Sequence, residues 1–342
     1  MPVFDGHNDA LSRLWNAGGD PAALFAQDVG HVNVPACAAG DMRGGFFAVY
    51  SPAKRNAFFD LPPATPALPL PPPLDPGSAS VSAMAQVGIA HALQRAGQIQ
   101  IVTSKQQLDV SWDAVPITCV LHLEGAECID ADLLALEALH GAGLRSLGPV
   151  WSRPNAWGHG VPFAYPQDPD TGPGLTDAGH RLAQRCAQLG IMLDVSHLTR
   201  KGFDDIANLG LPVVATHSNA WDLCPSARNL TLDQMAIIAG SGGLAGVNYE
   251  PSFTSEAGWR TGQSTLAQQV DQIAYMVDKM GEDHVVLGSD FDGARTPQGM
   301  RSAADLPRLS AAMDTAGFGQ DLIDKITHKT WRAFLGRHLG DA

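Results

Sequence analysis

Val3-Phe4-Asp5-Gly6-His7-Asn8-Asp9 runs a short apolar strand into a polar end at the start of the chain. On an extended backbone, residues two apart point to the same side, so His7 and Asp9 leave the strand end together. An imidazole and a carboxylate presented side by side are two ligands for a divalent metal ion. Alone, the pair is equally well a buried histidine and a turn aspartate. The distinction rests on whether other strands deliver further ligands at their corresponding ends.

The chain has 342 residues, 45% of them hydrophobic and 17% charged. That is ample material for a core, and α/β barrels take this length as one domain. The formal net charge of −13 argues against nucleic acid as a partner. No apolar run reaches the roughly 18 residues that span a bilayer. The chain opens on the first strand, so no secretory leader is expected, and the five scattered cysteines form no CxxC pair. A cytoplasmic protein without disulfides is expected.

Eight strand-like apolar runs follow one another: Pro2–His7, Gly44–Ser51, Ile117–Glu124, Leu144–Trp151, Ile191–His197, Pro212–His217, Gly243–Tyr249 and His284–Asp290. Helical patterns separate most of them, at Ser80–Ala96, Asp132–Ala142, Thr176–Leu189, Thr199–Leu209, Thr231–Ala239 and Thr265–Met280, and Leu322–Leu335 closes the chain. Thr176 reads as an N-cap and Gly281 as a C-cap. Strand and helix in this alternation predict a (β/α)8 TIM barrel of the metal-dependent hydrolase type, as one domain over residues 1–342. A doubly wound sheet is less well matched, because the turn after the first strand carries His-Asn-Asp rather than a glycine-rich phosphate loop. A proline-rich insertion at about 52–77 reads as a surface excursion from the loop after the second strand. The aromatic segment 152–173 would overhang the C-terminal mouth.

Barrel chemistry collects at the C-terminal ends of the strands. His7 and Asp9 end the first run, Glu124 the third, His197 the fifth, His217 the sixth and Asp290 the eighth, with Asp292 just beyond. This set exceeds what one hydrolytic metal needs and matches a two-metal site. His7, Asp9 and Glu124 would hold one ion, and Glu124, His197 and His217 the other. Asp290 would be the general base. Glu127 rivals Glu124 and Asp292 rivals Asp290, but the strand ends favour Glu124 and Asp290. His122, two residues before Glu124, reads as a core or supporting histidine.

Together Asp5–Leu11 (DGHNDAL), Leu121–Glu127 (LHLEGAE), Asp194–His197 (DVSH), Ala215–Leu230 (ATHSNAWDLCPSARNL) and Leu287–Gly293 (LGSDFDG) resemble the renal-dipeptidase-like metallopeptidases, peptidase family M19 of the amidohydrolase superfamily. The blocks run in order from the first strand to the last. The resemblance implies a (β/α)8 barrel, two Zn2+ ions bridged by the glutamate, and hydrolysis of dipeptides, including some with a D-residue at the C-terminal position. It places the carboxylate-binding arginine on Arg228, and a bidentate guanidinium suits a carboxylate. It also implies pairing into homodimers, for which the sequence offers no self-complementary patch.

One departure stands out. The family often carries a histidine after the fourth strand, where this chain has Trp151, whose only polar group is a donor N–H. His159, in the following loop, is a candidate to reach in. Asn248 and Tyr249, at the end of the seventh run, are further candidates for substrate contact. An N-acyl-D-amino acid or cyclic amide hydrolase is the alternative enzyme. A catalytically dead, metal-binding barrel would have lost a ligand, and none is missing.

Overall fold

Residues 1–52, 67–68, 70–114 and 116–340 are described by the computed structural model. Among the described residues nine parallel strands carry the fold: β1 (Val3–Asn8), β2 (Met42–Tyr50), β3 (Ile99–Ile101), β4 (Ile117–Glu124), β5 (Leu144–Gly148), β6 (Met192–Leu193), β7 (Val214–Ala215), β8 (Leu244–Val247) and β9 (Val285–Leu287). They form two arcs. One runs β1-β2-β4-β5-β6 with β3 beside β4, and the other runs β7-β8-β9. Single parallel bridges, Asp194 to Val214 and Asn8 to Phe291, lie where the arcs meet.

The fold is therefore α/β with a parallel, barrel-like sheet, but the one continuous eight-stranded ladder expected from the sequence is replaced by two arcs. The reason is local. Five of the eight runs were drawn longer than the ladders that form. Only Ile117–Glu124 coincides with its strand, whereas Ile191–His197 keeps ladder pairing over Met192–Leu193 alone. Beyond those residues only single backbone bonds continue, such as Asp194 to the Leu147 carbonyl at 2.9 Å and Val195 to the Val214 carbonyl at 2.8 Å, and polar side chains add to them. Asp5 accepts from the Ser289 amide at 2.7 Å, tying β1 to the end of β9, and Asp194 accepts from the Thr216 amide at 3.0 Å.

Strand β3 was missed by pattern because three residues carry no periodicity. It pairs with the first half of β4, and β5 pairs with the second half. The closing helix also differs. Leu322–Leu335 is broken into Gln320–Asp324, a wide π turn at Lys325–Lys329, and Thr330–His338. Two cap assignments hold: Thr176 Oγ1 accepts from the Gly179 amide, and Gly281 ends Leu266–Met280. Among the described residues no helix is long and apolar enough to cross a membrane.

The main core lies between strands and helices. A second cluster takes one residue from nearly every strand: Phe4, Phe46, Val120, Met192, Val214, Leu244 and Val286, closed by Trp331. Side chains alternate along a strand, so residues two further on share that face. There it becomes small and polar, with Gly6, His122, Asp194, Thr216, Gly246 and Gly288. Gly6 is required by space: a Cβ there would lie 2.6 Å from the Thr216 carbonyl oxygen and 2.9 Å from the Trp331 ring. The apolar layer thus seals one end, and a polar layer supports whatever sits at the other.

Candidate metal centre

Glu124, at the last position of β4, is the hub. Its Oε1 lies 3.0 Å from His197 Nε2, 3.4 Å from His217 Nε2 and 3.7 Å from His7 Nε2. Asp9 Oδ2 is 3.4 Å from His7 Nε2, and the Nε2 atoms of His197 and His217 are 3.1 Å apart. His7, Glu124 and His217 form one group with potential ligand atoms within 4.8 Å of one another, and His7, Asp9 and Asp290 form another. His7, Asp9, Glu124, His197 and His217 are buried, each 6% exposed or less, and Asp290 is partly buried. The strand ends therefore bring together every residue singled out as a metal ligand, together with the proposed base.

The local backbone serves this convergence. His197 and Asp290 both adopt left-handed conformations, with φ of 68° and 61°. Such geometry is uncommon outside glycine and clusters at functional sites. Gly293 follows, where a Cβ would stand 2.2 Å from Asp9 Oδ2 and 2.6 Å from Asp290 Oδ1. No side chain fits there while both carboxylates keep their places.

The donor set fits divalent metal ions. Both ring nitrogens of His7 are buried without a hydrogen-bond partner. Five carboxylates, Asp9, Glu124, Glu250, Asp290 and Asp292, line one cavity of about 200 Å³. Burial pushes the Glu124 carboxyl up to about 8, and the like charges of Asp9 and Asp290 add to this against the opposing pull of His7. Burial likewise raises Asp290 to about 6, with Asp9 adding and His7 and Asn248 opposing. Burial disfavours the charged form of His7, yet Glu124, Asp9 and Asp290 overcome it and hold the imidazole at about 10. Crowded carboxylates facing imidazole nitrogens are the electrostatics of a cation site.

A family-wide comparison gives the chain its place. Residues 1–332 match the model of the membrane dipeptidase family, peptidase family M19. The chain belongs to peptidase family M19. It is accordingly a metallopeptidase, a hydrolase acting on peptide bonds, and dipeptides are the substrates of its family. A solved M19 dipeptidase is 44% identical, with 99% of each chain covered and a TM-score of 0.93. A metallopeptidase from Rhodobacter sphaeroides, solved with a phosphinate mimic of the dipeptide L-Ala-D-Ala, is 43% identical at the same coverage and TM-score. A protein of Klebsiella pneumoniae, described only by its position in the pqqA 5' region, is 41% identical over 248 residues, 72% of this chain and 90% of its own.

The rival residues of the M19 chain have other work. Asp292 accepts from the amides of His31 and Val32 at 2.7 and 3.2 Å and faces Arg13. Glu127 receives Arg153 Nε at 2.7 Å. That buried guanidinium lies against Tyr50 and Trp151, 5.4 and 5.3 Å from their ring centres, and so braces the aromatic wall of the cavity.

Of the residues named for substrate contact, Trp151 lines the cavity, packed on His197 and Phe163. Asn248 donates its Nδ2 to Asp290 Oδ2 at 3.0 Å, so it holds that carboxylate instead. Arg228 is buried beside the centre, donating to Ser218 Oγ at 2.9 Å and the His217 carbonyl at 3.0 Å, with its Nε unpaired. Two others lie elsewhere. His159 turns its Nδ1 to the Gly174 carbonyl at 3.3 Å and is not among the cavity-lining residues. Tyr249 is fully buried against Phe291, also away from the lining, because β8 ends at Val247 and the following turn directs residue 249 into the core.

Several lining residues escaped the sequence. Glu250 follows Asn248 by two positions, a spacing that could have flagged it, and it is held by Arg295 and the Ser252 amide. Phe163, from the aromatic segment expected to overhang the mouth, stacks at 5.8 Å on Phe253 of the one-turn helix Pro251–Thr254, which is too short to show a periodicity. The described ends of the proline-rich insertion meet this wall: Pro52 lines the cavity, and Leu68 donates its amide to the Phe163 carbonyl at 2.9 Å. Residues 53–66 and 69 of the insertion lie outside the described residues.

Proposed function

We propose that this M19 chain is a binuclear zinc dipeptidase that hydrolyses L-D dipeptides, built as one closed (β/α)8 barrel. The observation that carries it is the convergence of three imidazoles and three carboxylates around Glu124. The bridges from Asp194 to Val214 and from Asn8 to Phe291 support closure of the two arcs into a barrel. Imidazole and carboxylate together suit zinc. The L-D preference rests on the L-Ala-D-Ala mimic carried by the 43% identical relative.

His7, Asp9 and Glu124 would hold one ion, and Glu124, His197 and His217 the other. Such ions, when bound, make a water nucleophilic near neutral pH and polarise a carbonyl. Asp290 takes the proton of the attacking water and returns it to the leaving amine. Asn248 keeps Asp290 Oδ2 engaged, which leaves Oδ1 for proton transfer. Arg228 receives the free C-terminal carboxylate and so measures substrate length. Tyr50, Trp151, Phe163 and Phe253 wall the cavity and exclude bulk water from the reacting bond.

A substrate panel tests this assignment. L-D dipeptides should be cleaved faster than L-L dipeptides, and N-acyl-D-amino acids and cyclic amides much more slowly. Faster turnover of the N-acyl or cyclic substrates would replace the assignment with that of another amidohydrolase. In the same panel Arg228→Ala should raise KM for dipeptides by about 10- to 200-fold, the loss of a charge-assisted pair of roughly 1.5–3 kcal/mol. Its KM for a C-terminal dipeptide amide should barely change. Equal effects on acid and amide would remove Arg228 from carboxylate binding.

A further inference from the structure

Beneath Glu124 the polar layer contains a chain of hydrogen bonds that fixes a proton. Asp194 follows β6 and is 1% exposed. Its Oδ1 accepts from the amides of Ser196 at 2.9 Å and Thr216 at 3.0 Å. Its Oδ2 accepts from Thr216 Oγ1 at 2.5 Å. The same hydroxyl lies 2.8 Å from His217 Nδ1. A hydroxyl has one proton to give. The Asp194 carboxylate can only accept, so that proton goes to Asp194, and towards His217 the hydroxyl oxygen can only accept. Nδ1 of His217 must then carry the ring proton, and Nε2 presents a bare lone pair. That atom faces Glu124 Oε1 at 3.4 Å.

We propose that Asp194 is a positioning residue that, through the Thr216 hydroxyl, locks His217 in the tautomer able to bind a metal ion through Nε2. Ring orientation is fixed by the same two bonds. Carboxylates that orient metal-binding histidines usually touch the imidazole directly. Here the threonine immediately before the histidine is inserted between them. Asp194 also makes the bridge to Val214, so one of the residues that join the two arcs of strands is the one that sets the ligand. The inference rests on the metal-centre assignment above only for the consequence of the tautomer, because the tautomer itself belongs to the metal-free chain.

Two substitutions alter the relay with little change of shape. In Asp194→Asn an amide oxygen can still accept from Ser196 and Thr216. The amide NH2 then donates to Thr216 Oγ1, which turns the hydroxyl proton towards His217 Nδ1 and moves the ring proton to Nε2. Thr216→Val removes the hydroxyl, and Thr216→Ser restores it. Nitrogen-15 NMR of histidine-labelled, metal-free protein reads the tautomer directly. The wild type should show His217 protonated at Nδ1, and Asp194→Asn should show it at Nε2. Competition with a chelator for Zn2+ should show affinity at one of two sites lowered about 10- to 100-fold in Asp194→Asn and Thr216→Val and retained in Thr216→Ser. A wild-type His217 protonated at Nε2 would overturn the inference, as would Thr216→Val binding Zn2+ like the wild type. If Asp194→Asn does not fold, the wild-type spectrum and the threonine pair decide. A wild type that binds no Zn2+ yet shows the Nδ1 tautomer would sink the metal-centre assignment and leave the relay standing.

Discussion

Asp290→Asn should retain its metal ions and lose turnover, with kcat falling about 10²- to 10⁴-fold, the usual contribution of a positioned general base. The substitution is close to isosteric, and asparagine tolerates the left-handed backbone at φ 61°. The side-chain oxygen can still accept from Asn248 Nδ2, now 3.0 Å from Asp290 Oδ2. What disappears is the carboxylate assigned to take the proton. Three imidazoles and two carboxylates remain to hold the ions, so metal content should match the wild type. Steady-state kinetics beside elemental analysis of the same sample checks this. Undiminished kcat at full metal content would remove Asp290 from the role of base.

Glu124→Gln should act on the metal rather than on the proton. Glu124 Oε1 lies within 3.7 Å of all three imidazole Nε2 atoms. A neutral amide supplies a single weakly donating oxygen and places an NH2 where a second oxygen stood. Metal content should fall to one ion per chain or fewer, and activity to background. The folded metal-free variant should be more stable than the metal-free wild type, because a carboxylate crowded by Asp9 and Asp290 has been neutralised. A ligand stabilises in proportion to its binding. Added Zn2+ should therefore raise the Tm of the wild type and leave the variant nearly unchanged. A variant with two ions and an unaltered thermal shift would show that Glu124 does not join them.

The sequence carried these candidate ligands because strand-end chemistry leaves a pattern. A histidine or carboxylate closing an apolar run is visible, and repetition at five strand ends separated design from accident. The supporting groups left no such mark. Thr216 and Ser152 are ordinary hydroxyl residues until one finds the first at 2.8 Å from His217 Nδ1 and the second at 2.8 Å from His197 Nδ1. Arg153 looks like a solvated loop charge, yet it is fully buried on Glu127. Strand lengths were overdrawn for the same physical reason that the candidate ligands stood out. Apolar character continues past the assigned ladder, because residues such as Val195 stay buried where the backbone passes between the arcs on single bonds, the Val195 amide donating to the Val214 carbonyl at 2.8 Å. Tyr249 and His159 were misplaced because neither a turn after two residues nor a loop closure onto Gly174 is encoded in periodicity.

Metal stoichiometry tests the account most directly. Protein purified without chelator, loaded with Zn2+ and dialysed should contain two ions per chain by elemental analysis, and dipeptidase activity should rise with the second. A chain fully active with one ion, or with none, would contradict it.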